Sequence, residues 1–212
     1  MQLLATRMDK ITFIVGITGG SGVGKTTLID GLKNEFEGKV STFSLDNYYL
    51  SKDQQSKDEN GVVNFDLPTA LDVDRMRADL IQLKEGKSIK QKIYQFNNPT
   101  NEDSFLTIEP ANLLIVEGLF VMHYEFIKDL LDYSVYLSVD RKLQLERRLL
   151  RDVQERNYSE KDVMYQWENH VVPSYENFVK PYKEEADLII TNNDKFDENI
   201  HILTSVIHDK IV

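Results

Sequence analysis

No cysteine occurs among the 212 residues of the chain. Disulfide bonds, cysteine-ligated zinc sites and thiol catalysis are therefore excluded. Long apolar runs are missing as well, since no stretch reaches the roughly 18 residues that a membrane-spanning helix needs. The segment before Ile11 is too short and too polar for a signal peptide. Together these absences favour a cytoplasmic protein.

Positive charge is scarce too, because 25 lysines and arginines stand against 35 aspartates and glutamates, for a formal net charge of −10. A chain this acidic is poorly suited to bind nucleic acids or acidic membranes in general, so we expect neither as a partner. Hydrophobic residues make up 41% of the chain, enough for a sizeable core. The length predicts a single domain over residues 1–212.

A glycine-rich loop follows the first apolar run, residues 11–17, which predicts a strand buried on both faces. The loop fits the pattern G-x-x-x-x-G-K-[ST], which binds phosphates. Glycines let backbone N–H groups approach phosphate oxygens, and the N-terminus of the following helix favours an anion. The residues predicted to bind the phosphates are Gly19, Gly20, Ser21, Gly22, Val23, Gly24, Lys25, Thr26 and Thr27.

Two side chains of this loop have predicted chemical roles. Lys25 is expected to reach the β- and γ-phosphates, and the Thr26 hydroxyl to bind Mg²⁺. The loop by itself does not distinguish a kinase from an NTPase switch or a motor.

Apolar runs and helical patterns alternate along the rest of the chain, which predicts a largely parallel sheet covered on both faces. With the loop after the first strand, this indicates a P-loop NTPase fold, a three-layer α/β/α sandwich. Residues 88–108 predict a small β insert near the acceptor site, residues 141–170 an arginine-rich helical lid, and residues 51–61 a mobile loop. Further strands are predicted at residues 40–45, 113–116, 133–139 and 186–191. Helices are predicted from a cap at Asp72 to about residue 83, at 124–131 and at 197–210, and another from 160 past a kink at Pro173 towards 182.

Two carboxylates end predicted strands at the sheet edge where ligands of open α/β folds bind. Glu117 is a candidate for the Mg²⁺ site, and the alternative is a strand-end carboxylate that caps a turn. Asp46 could accept the proton of an attacking hydroxyl, and the alternative is a solvated turn aspartate.

Basic residues cluster between 141 and 156, although the chain as a whole is acidic. Arg147, Arg148 and Arg151 lie three and four residues apart, so two or three of them share a helical face. Such a cluster could clamp a transferred phosphoryl group. The alternative is a solvated basic face paired with Glu146 and Asp152.

A possible acceptor pocket is formed by aromatic and polar residues, because aromatic faces stack on flat rings and a carboxylate can bind sugar hydroxyls. From the residues alone, packing in the core or in turns is the favoured interpretation of each. The four histidines show no metal-binding spacing and are interpreted as structural or surface residues. The pocket candidates are Phe65, Asp66, Tyr94, Phe96 and Gln166.

Six segments together resemble the uridine kinase (uridine–cytidine kinase) family, which has phosphoribulokinase and bacterial pantothenate kinase as relatives. The similarity runs in the right order from about residue 11 to residue 191, and the set is far more specific than the phosphate loop alone. The segments are GITGGSGVGKTT (16–27), SLDNYY (44–49), NFDLP (64–68), IVEG (115–118), RRLLRD (147–152) and ADLII (186–190).

The resemblance implies phosphorylation of a nucleoside 5′-hydroxyl, most often uridine or cytidine to UMP or CMP, with ATP or GTP as donor, Mg²⁺ as cofactor and a homo-oligomeric assembly. It implies that Asp46 is the general base, that Asp66 binds the ribose hydroxyls and that Glu117 belongs to the Mg²⁺ site. It also implies that Arg148 and Arg151 contact ATP, and that these two arginines and Lys25 have catalytic roles. The other residues that it implies at the acceptor are Tyr49, Phe65, Tyr94, Phe96, Arg148, Arg156 and Gln166.

The chain departs from the family pattern in two places. Where the family usually has Tyr-Asp-Phe-x-x-His-x-Arg, this chain places Pro99 at the base-reading histidine and Asn101 at the arginine. Where the lid usually has Glu-Arg-Gly-Arg, the last arginine is Tyr158. The parts for phosphoryl transfer therefore match better than the parts that read the base.

Three functions remain open at this stage. The leading one is a uridine or cytidine kinase, and the second is a kinase for another hydroxyl acceptor, such as pantothenate or a sugar phosphate. The third is a regulator that binds ATP without turnover. Asp46 and the arginine cluster argue against a regulator, whereas the altered base pocket argues slightly for it.

Overall fold

The computed structural model describes residues 11–95, 103–193 and 196–211. Its centre is a parallel sheet of five strands in the order β2-β5-β1-β6-β7, as the alternating pattern predicts. Phe96, Pro99 and Asn101 lie outside the described residues. The strands are β1 (Phe13–Gly19), β2 (Val40–Ser44), β5 (Leu113–Glu117), β6 (Tyr133–Ser138) and β7 (Leu188–Thr191).

Strand β1 lies in the middle of this sheet, and all seven of its residues are buried. Its side chains alternate between the two faces, so Val15 and Ile17 join one hydrophobic cluster while Ile14 joins the other. A strand enclosed on both sides needs a nearly continuous apolar run, and the polar side chain of Thr18 is accommodated because its hydroxyl donates a hydrogen bond to the Leu119 carbonyl at 3.0 Å.

Helices cover both faces of the sheet and complete the three layers. On one face, Leu28 and Leu32 of α1 (Lys25–Glu35) pack with Leu203 of α7 (Phe196–Ile211). On the other face lies α2 (Val73–Lys84), and Asp72 caps it by accepting a hydrogen bond from the Arg75 amide at 3.1 Å. The three-layer α/β/α fold predicted from the sequence is therefore present.

The predicted insert is an antiparallel hairpin of β3 (Ile89–Ile93) and β4 (Ser104–Ile108). Gln91 on β3 is fully buried and anchors the hairpin to the segment that follows β2. Its side-chain amide accepts a hydrogen bond from Asn47 Nδ2 at 2.7 Å and donates one to the Ser44 carbonyl at 3.4 Å. The Asn47 side chain also accepts a hydrogen bond from the Tyr94 amide at 3.0 Å, so Asn47 contacts both Gln91 and the end of β3.

The arginine-rich segment forms α4 (Arg141–Gln154), and α5 (Glu160–Gln166) begins at the Ser159 cap that the sequence predicts. The helical path then continues through Pro173 and ends at Glu185, three residues beyond the prediction. Proline lacks an N–H donor, and here it lies between two π-helical turns that change the local hydrogen-bond spacing. Those turns are Trp167–Val171 and Tyr175–Val179, with α6 (Val172–Ser174) between them and a 3₁₀ stretch (Lys180–Glu185) after them.

Some predicted boundaries were wrong. The helix predicted at 124–131 is only α3 (Glu125–Lys128), because turn-type hydrogen bonds from Leu130 to Ile127 and from Leu131 to Lys128 replace its last turn. The first strand starts two residues later than predicted and reaches Gly19, and the last starts at Leu188. None of the helices in the described ranges is both long and apolar enough to cross a membrane.

Two neighbouring residues of α2 test the packing of this face. Leu80 is 3% exposed and lies in the core, whereas Ile81 is 50% exposed. We expect Leu80→Ala to lower the free energy of unfolding by about 2–5 kcal/mol, because it leaves a cavity. The matched variant Ile81→Ala should stay within about 0.5 kcal/mol of the parent. Urea denaturation of both proteins measures the difference, and equal effects would contradict this packing.

Candidate active site

The phosphate loop joins β1 to α1 in the conformation that its glycines permit. Gly24, the residue before the helix, has φ of 100°, and Gly22 has φ of 79°. Residues with a side chain rarely adopt such positive φ angles. The two glycines therefore allow the backbone conformation that the loop requires. The N-terminus of α1 therefore points unpaired N–H groups at the space above the sheet edge, as an anion site requires.

Lys25, the first residue of α1, folds back over the loop. Its Nζ donates hydrogen bonds to the carbonyls of Gly19 at 3.0 Å and Gly20 at 3.3 Å. Burial lowers the pKa of Lys25, while the nearby carboxylates of Glu117 and Asp46 raise it. The ammonium group is thus placed between the loop and two acidic side chains.

Those two carboxylates meet because parallel strands end at the same sheet edge. Ser44 pairs with Glu117 in the register of β2 and β5, and the Ser44 hydroxyl donates a hydrogen bond to Glu117 Oε1. Asp46 follows two residues later in a short 3₁₀ turn. Burial raises the pKa of Glu117, and the Asp46 carboxylate adds to that effect.

Three arginines surround Asp152, which is 1% exposed. Arg148 Nε lies 3.2 Å from Oδ2 of this aspartate, and Arg151 Nε donates to its Oδ1 at 2.8 Å. Arg156 Nη1 lies 3.3 Å from Oδ1. The pairing with Asp152 that the alternative interpretation named is therefore present, but the carboxylate is buried, so these three arginines do not form a solvated face.

The arginine-rich helix lies directly on the phosphate loop. Arg151 Nη2 donates to the Ser21 hydroxyl at 3.0 Å, and Gln144 Nε2 donates to the Ser21 carbonyl at 2.7 Å. Arg147 instead donates to the Asn192 carbonyl at 3.3 Å. Helix α4 thus brings Arg151 to the loop, and Arg148 lines the same cavity.

Aromatic rings and a carboxylate form the neighbouring part of the site. Tyr49 contacts Phe65 and Tyr94, with ring centroids 5.9 and 5.1 Å away. Burial raises the pKa of Asp66, and the adjacent Arg148 acts to lower it. Gln166 accepts a hydrogen bond from Arg148 Nη2 at 3.4 Å, which links the arginines to this pocket.

One cavity of about 520 Å³ brings most of the predicted residues together. Gly19 and Gly20 do not line it, because their carbonyls hold Lys25 from behind. Tyr94 packs behind Tyr49 rather than in the lining, and Phe96 lies outside the described residues. The predicted residues that line the cavity are Ser21, Gly22, Val23, Gly24, Lys25, Thr26, Thr27, Asp46, Tyr49, Phe65, Asp66, Glu117, Arg148, Arg151, Arg156 and Gln166.

His170, which the sequence did not mark as a site residue, is 2% exposed and lines the same cavity. Its Nε2 lies 2.7 Å from Oδ2 of Asp58, a residue of the loop that the sequence predicts to be mobile. The spacing of four residues from Gln166 was a usable signal, because such residues share a helical face. Nothing local marked Asp58.

The oxygen ligands of the cavity fit Mg²⁺. The Thr26 hydroxyl and the Glu117 carboxylate both line it, and Mg²⁺ prefers hard oxygen ligands while it keeps several waters. Within residues 11–95, 103–193 and 196–211, no group of three or more His, Cys, Asp or Glu side chains could hold a metal by itself. Phosphate oxygens and water would therefore complete the coordination.

Comparison with known proteins agrees with this geometry. The model of the Phosphoribulokinase / Uridine kinase family matches residues 14–197. The chain belongs to this family. It is 31% identical over 210 residues to a uridine kinase of Limosilactobacillus reuteri, covering 99% of this chain and 96% of the relative. It is 34% identical over 205 residues to a uridine kinase of Macrococcus caseolyticus, covering 96% and 99%.

Solved structures of the family share the fold. A possible uridine kinase from Bacillus stearothermophilus aligns with a TM-score of 0.61 and 18% identity, covering 85% of this chain and 89% of that one. Phosphoribulokinase from Rhodobacter spheroides aligns with a TM-score of 0.60 and 14% identity, covering 87% and 70%. At these sequence identities, the structural similarity supports the fold of this chain but not its substrate or its mechanism.

The enclosed Glu117 carboxylate should reduce the stability of the ligand-free protein. Its pKa is raised on folding, so ionisation opposes folding once the pH exceeds the unfolded pKa, about 4.3. Glu117→Gln removes this penalty, and we expect a gain of about 0.5–2 kcal/mol in the free energy of unfolding at pH 7, the usual size of a stabilising change. The gain should disappear near pH 3, well below the unfolded pKa, where the parent carboxyl is protonated in both states.

Urea denaturation without nucleotide or metal at both pH values provides the measurement. The control is Glu125→Gln, since Glu125 is exposed on α3. A lower or unchanged stability of Glu117→Gln at pH 7 would contradict the penalty.

Proposed function

We propose that this chain transfers the γ-phosphoryl group of ATP to the 5′-hydroxyl of a nucleoside, uridine or cytidine. The observation that carries the proposal is that one cavity joins the phosphate loop to a pocket of aromatic rings and a buried carboxylate. The part at the phosphate loop is suited to bind a triphosphate, and the part with the aromatic rings and the carboxylate is suited to bind a sugar with a flat base. The uridine kinases matched over nearly their full length support the same reaction.

The phosphate half of the cavity has the parts that stabilise charge on a transferring phosphoryl group. Lys25 and the loop amides can neutralise the β- and γ-phosphates, and Arg148 and Arg151 can approach from α4. Thr26 and Glu117 would hold Mg²⁺, which supplies positive charge to the phosphate oxygens when bound. GTP would fit the same phosphate contacts. We also propose that the protein acts in the cytoplasm. We expect it to assemble as a homo-oligomer.

Asp46 is the proposed general base. It lines the cavity beside Lys25 and Glu117, at the end of β2 and between the two halves of the site. A primary hydroxyl becomes a competent nucleophile when a positioned carboxylate takes its proton as the P–O bond forms.

The acceptor half would bind the nucleoside through Asp66, Tyr49, Phe65 and Gln166. The Asp66 carboxylate, next to Arg148, can accept hydrogen bonds from the ribose hydroxyls. The rings of Tyr49 and Phe65 offer faces for the base. We further propose Arg156 as an acceptor contact.

A second acceptor class is favoured by one sequence feature. Pro99 and Asn101 stand where family members usually have the histidine and arginine that read the base. Proline has no side-chain donor, so a different hydroxyl acceptor, such as pantothenate or a sugar phosphate, is the alternative to a pyrimidine nucleoside.

Phosphorylation of an acceptor panel tests the proposed function. We expect ATP consumption and a monophosphate product with uridine or cytidine, and none with pantothenate or a sugar phosphate. Lys25→Ala is the control for contaminating kinases, because it removes the loop ammonium and should nearly abolish turnover. Product with pantothenate alone would select the alternative acceptor, and ATP binding without product from any acceptor would indicate a regulator.

Asp46→Asn tests the general base. The change keeps the size of the side chain and removes its charge, so acceptor binding should persist while kcat falls by roughly 10²–10⁴-fold. Isothermal titration with the acceptor and a steady-state assay separate the two effects. The control is Asp30→Asn on the exposed side of α1. If binding and turnover fall together, Asp46 positions the acceptor instead, and if neither changes, Asp66 becomes the next candidate base.

Arg151→Ala tests the arginine clamp. Arg151 bridges Asp152 and the Ser21 hydroxyl, so its guanidinium lies where charge develops during transfer. We expect kcat to fall by roughly 10²-fold or more. Arg141→Ala is a matched change on the same helix, since Arg141 forms an exposed ion pair with Glu176 at 2.8 Å and should leave kcat unaltered. Equal kcat/KM for the parent and Arg151→Ala would refute the clamp.

A further inference from the structure

Residues 57–63 form a small hairpin whose last residue, Val63, lines the cavity. Lys57 and Val63 form an antiparallel bridge. Asp58 Oδ1 holds the turn from inside by accepting hydrogen bonds from the amides of Asn60 at 2.9 Å and Val62 at 2.8 Å. This leaves Oδ2 of Asp58 for contacts outside the hairpin.

Both of those contacts come from the helical segment that follows α4. The Tyr165 hydroxyl donates to Asp58 Oδ2 at 2.7 Å, and His170 Nε2 lies 2.7 Å from the same oxygen. Asn60 Nδ2 donates in turn to the Tyr165 hydroxyl at 2.8 Å. We call Asp58, Tyr165 and His170 the clasp.

The Asp58 carboxylate of the clasp is ionised across the physiological pH range. Partial burial acts to raise the pKa of Asp58, but hydrogen bonds from Tyr165 and His170 outweigh it and lower that pKa to about 2. An ionised carboxylate is the stronger hydrogen-bond acceptor for both donors. His170 is nearly fully enclosed, so water does not compete freely for its contact.

The hairpin leads directly into the residues that face the acceptor. Asn64 donates its amide to the Ser56 carbonyl at 2.9 Å, and its side chain accepts from the Asp66 amide at 2.9 Å. Phe65 and Asp66 line the cavity, and so does His170. The clasp therefore joins the hairpin that precedes Phe65 and Asp66 to the helical segment that carries His170.

The same elements also divide two spaces. A second cavity, of about 900 Å³, lies beside the first, and Val63, Phe65, Tyr158 and Gln166 line both. Tyr165 lines the second cavity and His170 the first. The partition depends on where the hairpin sits against the helix, which the clasp fixes.

We propose that the clasp of Asp58, Tyr165 and His170 positions residues 64–66 in the acceptor site, and that it thereby determines acceptor affinity and selectivity. The inference rests on the proposed kinase function for its substrate, but the placement of the hairpin is testable without it. His170 is a positioning residue in this scheme, and the reacting hydroxyl remains with Asp46.

Hydrogen–deuterium exchange tests the placement. In His170→Phe the hairpin loses a donor, so amides in 56–66 should exchange faster while β1 and β5 stay protected. His170→Gln keeps an N–H donor and should restore much of the protection. His201→Phe, an exposed histidine on α7, is the control. Unchanged exchange in 56–66 for His170→Phe overturns the proposal.

Steady-state kinetics test the consequence. In His170→Phe and Asp58→Ala we expect the KM for the acceptor to rise about tenfold or more, since misplacement of a binding group is costly, with the KM for ATP within about twofold. Discrimination between uridine and a uridine with a bulky base substituent should fall, because the partition loosens. His170→Gln should recover part of the acceptor KM.

The outcomes separate the two proposals. A parallel rise in both KM values, or unchanged acceptor KM and selectivity despite faster exchange, overturns the acceptor role of the clasp. Absence of turnover with every acceptor in the parent protein refutes the kinase function, whereas exchange in 56–66 still decides whether the clasp places the hairpin.

Discussion

The site depends on charges of opposite sign that are enclosed together at one edge of the sheet. Burial disfavours the charged form of Lys25, and the neighbouring Glu117 and Asp46 oppose that effect. These two carboxylates lie near each other because β2 and β5 are parallel, with Ser44 paired to Glu117. Glu117 is the last residue of β5, and Asp46 follows the end of β2 by two residues, so both lie at the same edge of the sheet. Sheet topology therefore sets the electrostatics before any ligand binds.

The same balance recurs above the phosphate loop. Asp152 holds Arg148, Arg151 and Arg156 in a small volume, although like charges repel. Without a buried carboxylate between them, three guanidinium groups would turn towards solvent. The chain is acidic overall, but it has a locally basic cluster beside the phosphate loop. The net charge of the chain does not indicate this local charge.

Local patterns explain how much of this could be predicted from the sequence. The loop motif requires certain angles at Gly22 and Gly24, and the strand-end positions of Asp46 and Glu117 follow from parallel topology. The Asp58–His170 contact could not be found this way, because 112 residues separate its partners and no local pattern marks Asp58. The helix through Pro173 was predicted, but its end was not, since π-helical turns leave no clear sequence signal.

The hairpin of β3 and β4 is attached to the rest of the protein at its base, where Ile89 and Ile108 lie in the hydrophobic core. Gln91 and Asn47 add polar contacts to the segment after β2, and among the described residues the two hairpin strands pair with each other and not with the central sheet. A segment held in this way can accumulate substitutions far from its base without disturbing the machinery for nucleotide binding. Across generations, the choice of acceptor and the handling of ATP can therefore diverge at separate rates.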